Sequence, residues 1–582
     1  MISNQRQPIS ALFQLASGRW IAFDSPVRVL IAAVPSDVHA VIADVERLAR
    51  DEHLHAIGFL TYEAGAAFGL AVHEGLCALP LAWFALFESG RELARSEFGA
   101  AVGAYEIGEA TAAIDRESYR AGFARIRAHL AAGDTYQANY TFKTTARFSG
   151  DARALFVDLV MAQQGSCSAF LDLGDHAICS ASPELFFRRD GNEIVVRPMK
   201  GTTRRGRTID EDEAMRAELL GSAKQQAENV MIVDMMRNDL GRIATVGSVS
   251  VSELFVAERY PGVWQMTSTV RARSRASLGD VIAALHPSAS VTGAPKVRTM
   301  QLLAQIEAEP RGVYTGAIGY VTPDGEAQFN VAIRTAVVDR RAETVEFGVG
   351  SGVVWDSDAD AEFEECLLKG RILGQRAETF ELLETLRWTV DHGYFLRERH
   401  LDRLSRSADY FGFAFDRAGV EQALDEAVRE ATGARRVRLL MSREGTARVE
   451  SIDLVRRREP LAVALAVAPV DSNDRFLYHK TTRRAMYDAA RQLRPGFDEV
   501  LLWNERDEIT EATIANVVVD LGAGRVTPPI ACGLLGGTFR AELLDRGEIT
   551  EAVVTREQLK TAREVWLVNS VHEWLPVRLE PW

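Results

Sequence analysis

The sequence has no basic excess. Lys and Arg number 67 against 81 Asp and Glu, a formal net charge of −14, and general nucleic-acid binders carry the opposite balance. Cysteine is scarce. Cys77, Cys167, Cys179, Cys366 and Cys532 are odd in number and widely scattered, which argues against a disulfide framework or a paired-cysteine zinc site and suits a reducing compartment. Long apolar runs are missing too. The stretches 75–87 and 461–470 are too short to cross a bilayer, and residues 1–10 are polar, without the basic-then-apolar layout of a signal peptide. The expectation is a cytoplasmic protein with neither membrane nor nucleic acid as a partner. Low-complexity segments and short-period repeats are also absent. What is present is an ordinary globular composition, 47% hydrophobic and 25% charged over 582 residues, enough to bury large cores.

Ala- and Arg-rich helical patterns alternate with β-branched runs. Helices are expected over 119–132 and 214–236, and strands over 193–198, 332–338 and 344–347. The alternation has no regular βαβ rhythm, and no Gly-x-Gly-x-x-Gly follows a strand, so the expected class is α+β rather than a dinucleotide-binding fold. Over 362–383 a helix runs into a connecting segment. A fresh pattern then begins: a strand over 385–390, a turn at Asp391, His392 and Gly393, and a helix over 398–411. This places a boundary near 375–380 and divides the chain into units 1–375 and 376–582.

Three stretches of the first unit carry polar residues where packing does not require them. In 228–242, Met231, Ile232, Met235 and Met236 form an apolar helical stripe, with Glu228 at its start and Arg237, Asn238 and Asp239 at its end. In 362–369, Glu362 and Glu365 are three apart and share a helix face, with Lys369 one turn further along. Glu228, Glu362 and Glu365 are candidates to hold one hard cation such as Mg²⁺, which takes few carboxylates and keeps waters. Three exposed acids on unrelated helices is the alternative. In 197–207, Lys200 sits between Pro198 and Gly201 on an expected turn, among Arg197, Arg204, Arg205 and Arg207. Like charges favour the neutral, nucleophilic amine. A solvated or anion-binding basic loop is the alternative.

In the second unit, Lys480 lies between an apolar, strand-like run and an Ala-rich helix. Glu511 precedes a strand, and a glycine turn with Gly533, Gly536 and Gly537 leads into a helix at Thr538, a setting suited to a phosphate. Lysine, carboxylate and phosphate cradle are what pyridoxal 5'-phosphate requires. A surface lysine beside an ordinary strand–turn–helix is the alternative.

Nine runs of the first unit, 133–141, 180–186, 198–202, 228–242, 291–296, 312–319, 333–335, 348–352 and 362–369, resemble in order those of the chorismate-utilising enzymes. That family includes anthranilate synthase component I, aminodeoxychorismate synthase component I, isochorismate synthase and salicylate synthase. The resemblance implies antiparallel sheets covered by helices. It implies Glu228 and Glu365 as Mg²⁺ ligands with Glu362 close by. It implies chorismate held at its pyruvyl carboxylate by Tyr314, Arg334 and the backbone of Gly350, Ser351 and Gly352, with Gln137, Thr292 and Lys369 also in the substrate site. Isochorismate and salicylate synthases have a water-activating lysine where this chain has Gln137, so water addition is disfavoured. Anthranilate synthases usually have alanine at the place of Lys200. A lysine there resembles aminodeoxychorismate synthase, in which it adds to ring C2 as the C4 hydroxyl leaves, before ammonia enters at C4. Glu184 resembles the acid that protonates that hydroxyl. Gln265 stands where the family often has histidine. No cysteine occupies a Gly-x-Cys-x-Gly elbow, so ammonia is expected from a separate glutamine amidotransferase subunit.

The second unit resembles class IV, branched-chain-type pyridoxal phosphate enzymes, aminodeoxychorismate lyase in particular, through Glu384, Thr385, Leu386, His400, Arg403, Ser407, Gly412, Lys480, the runs 511–516 and 533–540, and Asn569 and Ser570. The resemblance implies a two-subdomain α+β domain that forms a homodimer. Lys480 would be the Schiff-base lysine and proton shuttle, Arg403 and Thr538 would hold the phosphate, and Glu511 would face the pyridine nitrogen. One departure stands out: Asn569-Ser-Val-His572-Glu573-Trp574 has no arginine where such fusions often read Asn-Ser-Val-Arg-Gly-Trp. Together the halves imply 4-aminobenzoate synthesis for folate, by amination of chorismate and then elimination of pyruvate. An anthranilate-synthase-like enzyme with a fused aminotransferase, or a synthase whose second unit is only a scaffold, are the alternatives.

Overall fold

The computed structural model describes residues 9–75, 77–99, 102–376, 379–457 and 459–580. Residues 1–8 of the polar N-terminal stretch, and 377 and 378 of the expected boundary, lie outside the described residues. The chain forms two compact units, one of residues 1–204 and 216–378, the other of residues 205–215 and 379–582. A short segment from the first half of the sequence therefore belongs to the second unit.

The first unit is built on two antiparallel sheets, 11-stranded and 10-stranded among the described residues. In the larger, Gln137–Gly150 pairs along its length with Thr344–Val353, with Asn139 opposite Gly352 and Thr141 opposite Gly350. In the smaller, Val263–Arg273 pairs with both Glu193–Arg197 and Met199–Arg204. Side chains alternate across each strand. One face of each sheet contributes to a shared core that includes Phe13, Phe23, Phe59, Trp83, Ile178 and Ile318. Helices cover the opposite faces. Arg116–Ala131, Ala152–Gln163 and Ala359–Gly370 pack on the larger sheet. Pro35–Asp51, Ala223–Gly241 and Leu278–Leu285 pack on the smaller. In Pro35–Asp51, Val38, Val41, Ile42, Val45, Leu48 and Ala49 are buried, the 3.6-residue stripe that lets one face dock on a sheet. Burying each of the larger side chains stabilises the fold by roughly 1.5–3 kcal/mol.

Local differences from the sequence expectation have local causes. The single helix expected over 214–236 is two, Ile209–Gly221 and Ala223–Gly241, broken at Ser222, whose hydroxyl accepts from the Gln225 amide and caps the second. Lys200 is not on a turn. It lies in strand Met199–Arg204, where the pairing register slips between Met199 and Thr202. Gly201 has φ +106 there, and a bulge of this kind re-aims the neighbouring side chain.

The second unit has two subdomains. A 4-stranded antiparallel sheet with Leu382–Thr389 and Arg435–Met441 at its centre carries helices Arg397–Phe411 and Arg417–Ala427. An 8-stranded mixed sheet has Leu461–Leu465 parallel to both Glu499–Trp503 and Glu573–Leu579. Lys480 follows a single 3₁₀ turn, Arg475–Leu477, rather than the expected strand, and precedes helix Ala485–Gln492. Segment 205–215 is fastened to this unit. Arg205 makes two bonds to Asp212, at 2.6 and 2.7 Å, and donates to the Tyr410 carbonyl. His479, next to Lys480, shares a hydrogen bond with the Arg207 carbonyl at 3.2 Å.

Candidate active sites

In the first unit the bulged strand brings Lys200 against strand Thr344–Val353. A Cβ built on Gly352 would lie 2.6 Å from the Lys200 Nζ and 3.1 Å from the Gln137 Nε2. The lysine and the amide thus share one space against Gly352, and a side chain there would push the flexible end of Lys200 aside. Gln137 is fully buried, and neither its Oε1 nor its Nε2 has a hydrogen-bond partner. Orphaned buried amide atoms are costly unless another molecule satisfies them. Although Lys200 keeps some exposed surface, its amine end is enclosed, and burial pulls its pKa down. Lys369 pulls the same way, while Glu228, Glu365 and Glu184 oppose it. The expectation that surrounding arginines favour the neutral amine is thus replaced: Arg205 is bound to Asp212, Arg207 to Glu211, and burial is the main cause.

Glu184 is buried, and its carboxyl is pushed up to about 7 by that burial, against the Ser290 hydroxyl, which donates to it at 2.6 Å, and the nearby Lys200. A carboxyl with that pKa is half protonated near neutrality and suited to general acid work. Arg334 sits in a left-handed backbone conformation, φ +51, a strain of roughly 1–3 kcal/mol for a non-glycine residue. Its guanidinium stacks on Tyr260, centroid 5.8 Å away, and makes no ion pair among the described residues. Burial lowers its pKa. A strained, enclosed arginine without a carboxylate is available for one on a ligand.

The other expected substrate contacts are built into the frame. The Tyr314 ring lies so close to Gly348 that a Cβ there would meet it at 2.1 Å, and burial raises its pKa. Lys369 is occupied, donating to the Gly350 carbonyl at 3.0 Å and pairing with Glu365 at 2.7 Å. The Ser351 and Tyr119 hydroxyls are hydrogen-bonded at 3.1 Å, and Thr292 donates to the carbonyls of Ser288 and Ala289. Among the described residues no three His, Cys, Asp or Glu side chains are gathered closely enough to hold a metal ion. Glu228 and Glu365 act on Lys200, and Glu365 and Glu362 both act on Cys366, with Glu362 also acting on Tyr119. Two carboxylates plus water and substrate oxygens still suit Mg²⁺, and the donor chemistry fits for Glu228 and Glu365. Thr202 donates to Gln265 at 3.0 Å, so the amide at that departure is engaged.

Sequence reasoning missed Asn229 and Ser290. The Asn229 amide donates to the Lys200 carbonyl at 3.0 Å and its oxygen accepts from Ser268 at 2.6 Å, fixing the strand that carries the lysine. A fully buried asparagine beside Glu228 in an otherwise apolar helix face was the available signal.

In the second unit a pocket of about 300 Å³ brings together Lys480, Arg403, Glu511 and Thr538. Burial pulls the Lys480 pKa down to about 8, with Arg403 adding to the effect. Burial pushes Glu511 up to about 7, with Tyr487 donating to it at 2.8 Å. Arg403 is clamped by two bonds to Glu384, at 2.8 and 2.6 Å, and donates to the Gly536 carbonyl. Burial alone would raise Glu384, yet Arg403 and His400 hold it down to about 2. Gly537, just before helix Thr538–Asp545, leaves no room for a side chain, since a Cβ would meet Asn516 Oδ1 at 1.9 Å. An amine near 8, a buried carboxylic group and a cramped glycine at a helix start fit pyridoxal phosphate. His400 was not singled out for this site; it links Glu384 (2.7 Å), Ser570 (3.0 Å) and Thr538 (3.2 Å).

A family model described as chorismate binding enzyme matches residues 13–374, and one described as amino-transferase class IV matches 381–579. Anthranilate synthase component 1 1 of Haloarcula marismortui is 42% identical over 272 residues, covering 46% of this chain and 55% of that protein. Aminodeoxychorismate synthase component 1 of Escherichia coli K12 is 41% identical over 265 residues, covering 45% and 58%. The chain thus spans somewhat over half the length of these relatives. The crystal structure of anthranilate synthase component I from Streptococcus pneumoniae TIGR4 shares the fold of the first unit, with a TM-score of 0.53 at 22% identity over 64% of this chain and 94% of that one. Among the described residues no helix is long and apolar enough to cross a membrane.

Proposed function

The chain belongs to the chorismate binding enzymes and carries an amino-transferase class IV match behind that domain, and from this we propose that it makes 4-aminobenzoate from chorismate in two steps. The first is amination of chorismate to 4-amino-4-deoxychorismate. The carrying observation is the Lys200 amine, drawn toward its neutral form by burial and placed on Gly352 beside the unsatisfied Gln137 amide.

In this reading Lys200 forms a bond to ring C2, the ring double bond shifts, and the C4–O bond breaks. Glu184 supplies the proton, so the hydroxyl leaves as water, and the resulting carboxylate takes the proton released by the lysine nitrogen. Ammonia then bonds to C4, the ring double bonds shift back, and the C2–N bond to Lys200 breaks, with Glu184 returning its proton to the lysine nitrogen so that it leaves as the amine and then taking one from the new C4 ammonium. Arg334 grips the pyruvyl carboxylate. Mg²⁺ on Glu228 and Glu365 would neutralise the ring carboxylate. The chain has no nucleophilic cysteine in a glutaminase setting, so ammonia comes from a separate glutamine amidotransferase subunit.

The second step, in the Lys480 pocket, eliminates pyruvate. Pyridoxal phosphate, when bound, supplies an electron sink for the carbon bearing the amine. Arg403 and Thr538 would hold its phosphate, and Glu511 would serve as partner to its ring nitrogen. Lys480, with a pKa of about 8, takes the C4 proton and delivers one to the methylene of the departing enolpyruvyl group, so the ring becomes aromatic as the C–O bond breaks. We place the protein in the cytoplasm, as a homodimer through the second unit. The identity to the anthranilate synthase of H. marismortui favours a second reading, amination at C2. Product analysis after incubation with chorismate, ammonia and Mg²⁺ decides between them: 4-amino-4-deoxychorismate or 4-aminobenzoate supports the proposal, and anthranilate as the sole product overturns it.

A further inference from the structure

The pocket around Lys480 is more cationic than a cofactor alone requires. Its lining holds six arginines and Lys480 against a single carboxylate, Glu511, in a chain of net charge −14. Three of the six are accounted for. Arg403 is paired with Glu384. Arg483 is 3.1 Å from Asp474. Arg484 donates to the Thr513 carbonyl at 2.5 Å and lies over Tyr487. The other three have weak partners or none. Arg457 is 3.5 Å from Glu499, a carboxylate already bonded to Arg491 at 2.7 Å and Thr513 at 2.5 Å. Arg438 is 3.7 Å from Glu450, too far for a hydrogen bond. Arg436 has no ion pair or hydrogen bond among the described residues.

Their placement is specific. Arg436 and Arg438 flank buried Val437 in strand Arg435–Met441 and share one face. Arg438 stands opposite Thr385, another residue of the pocket wall. Arg436 stands opposite Arg387, and like charges directly opposite destabilise a sheet. Arg387 is neutralised by Glu573 at 2.7 Å; Arg436 is left over. Arg457 comes from the segment after strand Ala447–Asp453, lines the same pocket, and acts with Arg436 on His572. Burial first, then Arg457, Arg436 and Arg387, lowers the pKa of that imidazole, so His572 adds no further charge near neutrality.

We propose that Arg436, Arg438 and Arg457 form a carboxylate-recognition wall of this pocket that selects an amine substrate carrying two carboxylates over one carrying a single carboxylate. It deepens the proposed second step, whose substrate carries a ring carboxylate and an enolpyruvyl carboxylate on neighbouring arms, and it rests on that reading for the identity of the substrate only.

The test is calorimetric titration of the full chain loaded with pyridoxal phosphate, using isophthalate as the dicarboxylate probe and benzoate as the monocarboxylate. The wild type is expected to bind isophthalate at least about tenfold tighter, the scale of one charge-assisted contact. Arg436→Gln and Arg457→Gln should each remove about that factor for isophthalate and little for benzoate, with the cofactor's visible absorbance unchanged. Equal affinity for the two probes, or unchanged isophthalate binding in both variants, overturns the wall. The same preparations are assayed for 4-aminobenzoate from 4-amino-4-deoxychorismate. A dicarboxylate preference without product leaves the wall standing and overturns the lyase reading. Product formed by the wild type, with KM unchanged in both variants, overturns the wall and leaves the lyase reading standing.

Discussion

Replacing Glu184 with glutamine should trade activity for stability, and the trade should depend on pH. The buried carboxyl has its pKa raised from 4.5 to about 7. A raised carboxyl binds its proton more tightly folded than unfolded. Its stabilisation is therefore fully present below 4.5 and is lost as pH rises through about 7. With one pKa unit equal to about 1.4 kcal/mol, the wild type carries a penalty of roughly 1 kcal/mol at about pH 5.5 and roughly 3 kcal/mol at about pH 8.5. Glu184→Gln has no such penalty and can still accept from Ser290. Its stability advantage over wild type should grow by roughly 2 kcal/mol between those two pH values, while amination of chorismate is lost for want of the acid. Hydrogen exchange of peptides spanning 181–204, compared at the two pH values, measures the local opening free energy. Taking the difference between pH values cancels whatever the amide itself changes. An advantage that stays flat with pH would show that Glu184 is an ordinary carboxylate, and its role as proton donor would fall with it.

Glu365→Gln should abolish amination, because Mg²⁺ has few protein ligands, while conversion of supplied 4-amino-4-deoxychorismate continues; parallel loss of both activities in a folded variant would contradict the division into two sites. Lys480→Ala should lose the visible absorbance that pyridoxal phosphate gives the wild type and should accumulate 4-amino-4-deoxychorismate, as followed by chromatography. Asp212→Ala leaves the Arg205 guanidinium buried beside Tyr410 without its carboxylate. A broken buried pair costs about 3–5 kcal/mol, so exchange protection should fall in helix Arg397–Phe411 and around 476–482 rather than in the two large sheets.

Much of the candidate site was legible in the sequence because it sits in polar residues interrupting apolar strands and helices. Lys200, Glu184 and Gln137 lie on separate runs, yet their order along the chain matched a known family, and the structure brings Lys200 and Gln137 together at Gly352, with Glu184 near enough to act on the lysine. The two-sheet and two-subdomain architectures followed from the same resemblance. Long-range packing was not legible. Nothing in the run 205–215 announces that it belongs to the second unit, since its attachment depends on Tyr410 and His479, some 200 residues or more away. The arginines around Lys200 read as its electrostatic neighbours, but Arg205 and Arg207 turn to their own carboxylates. Glu362 and Glu365 share a helix turn by spacing and both act on Cys366, yet only Glu365 also acts on Lys200. The surplus arginines of the second pocket are spread over two strands and a loop, and only the folded chain sets them side by side.

The central claim is that Lys200 is a nucleophile, and intact-protein mass spectrometry tests it most directly. The full chain is mixed with chorismate and Mg²⁺ without ammonia, so that nothing releases the lysine. The account predicts an adduct with the mass of chorismate less one water, mapped by digestion to the peptide bearing Lys200 and absent from Lys200→Ala. Chorismate that is aminated at C4 when ammonia is supplied, by a protein that never forms that adduct and by Lys200→Ala at the wild-type rate, would contradict it.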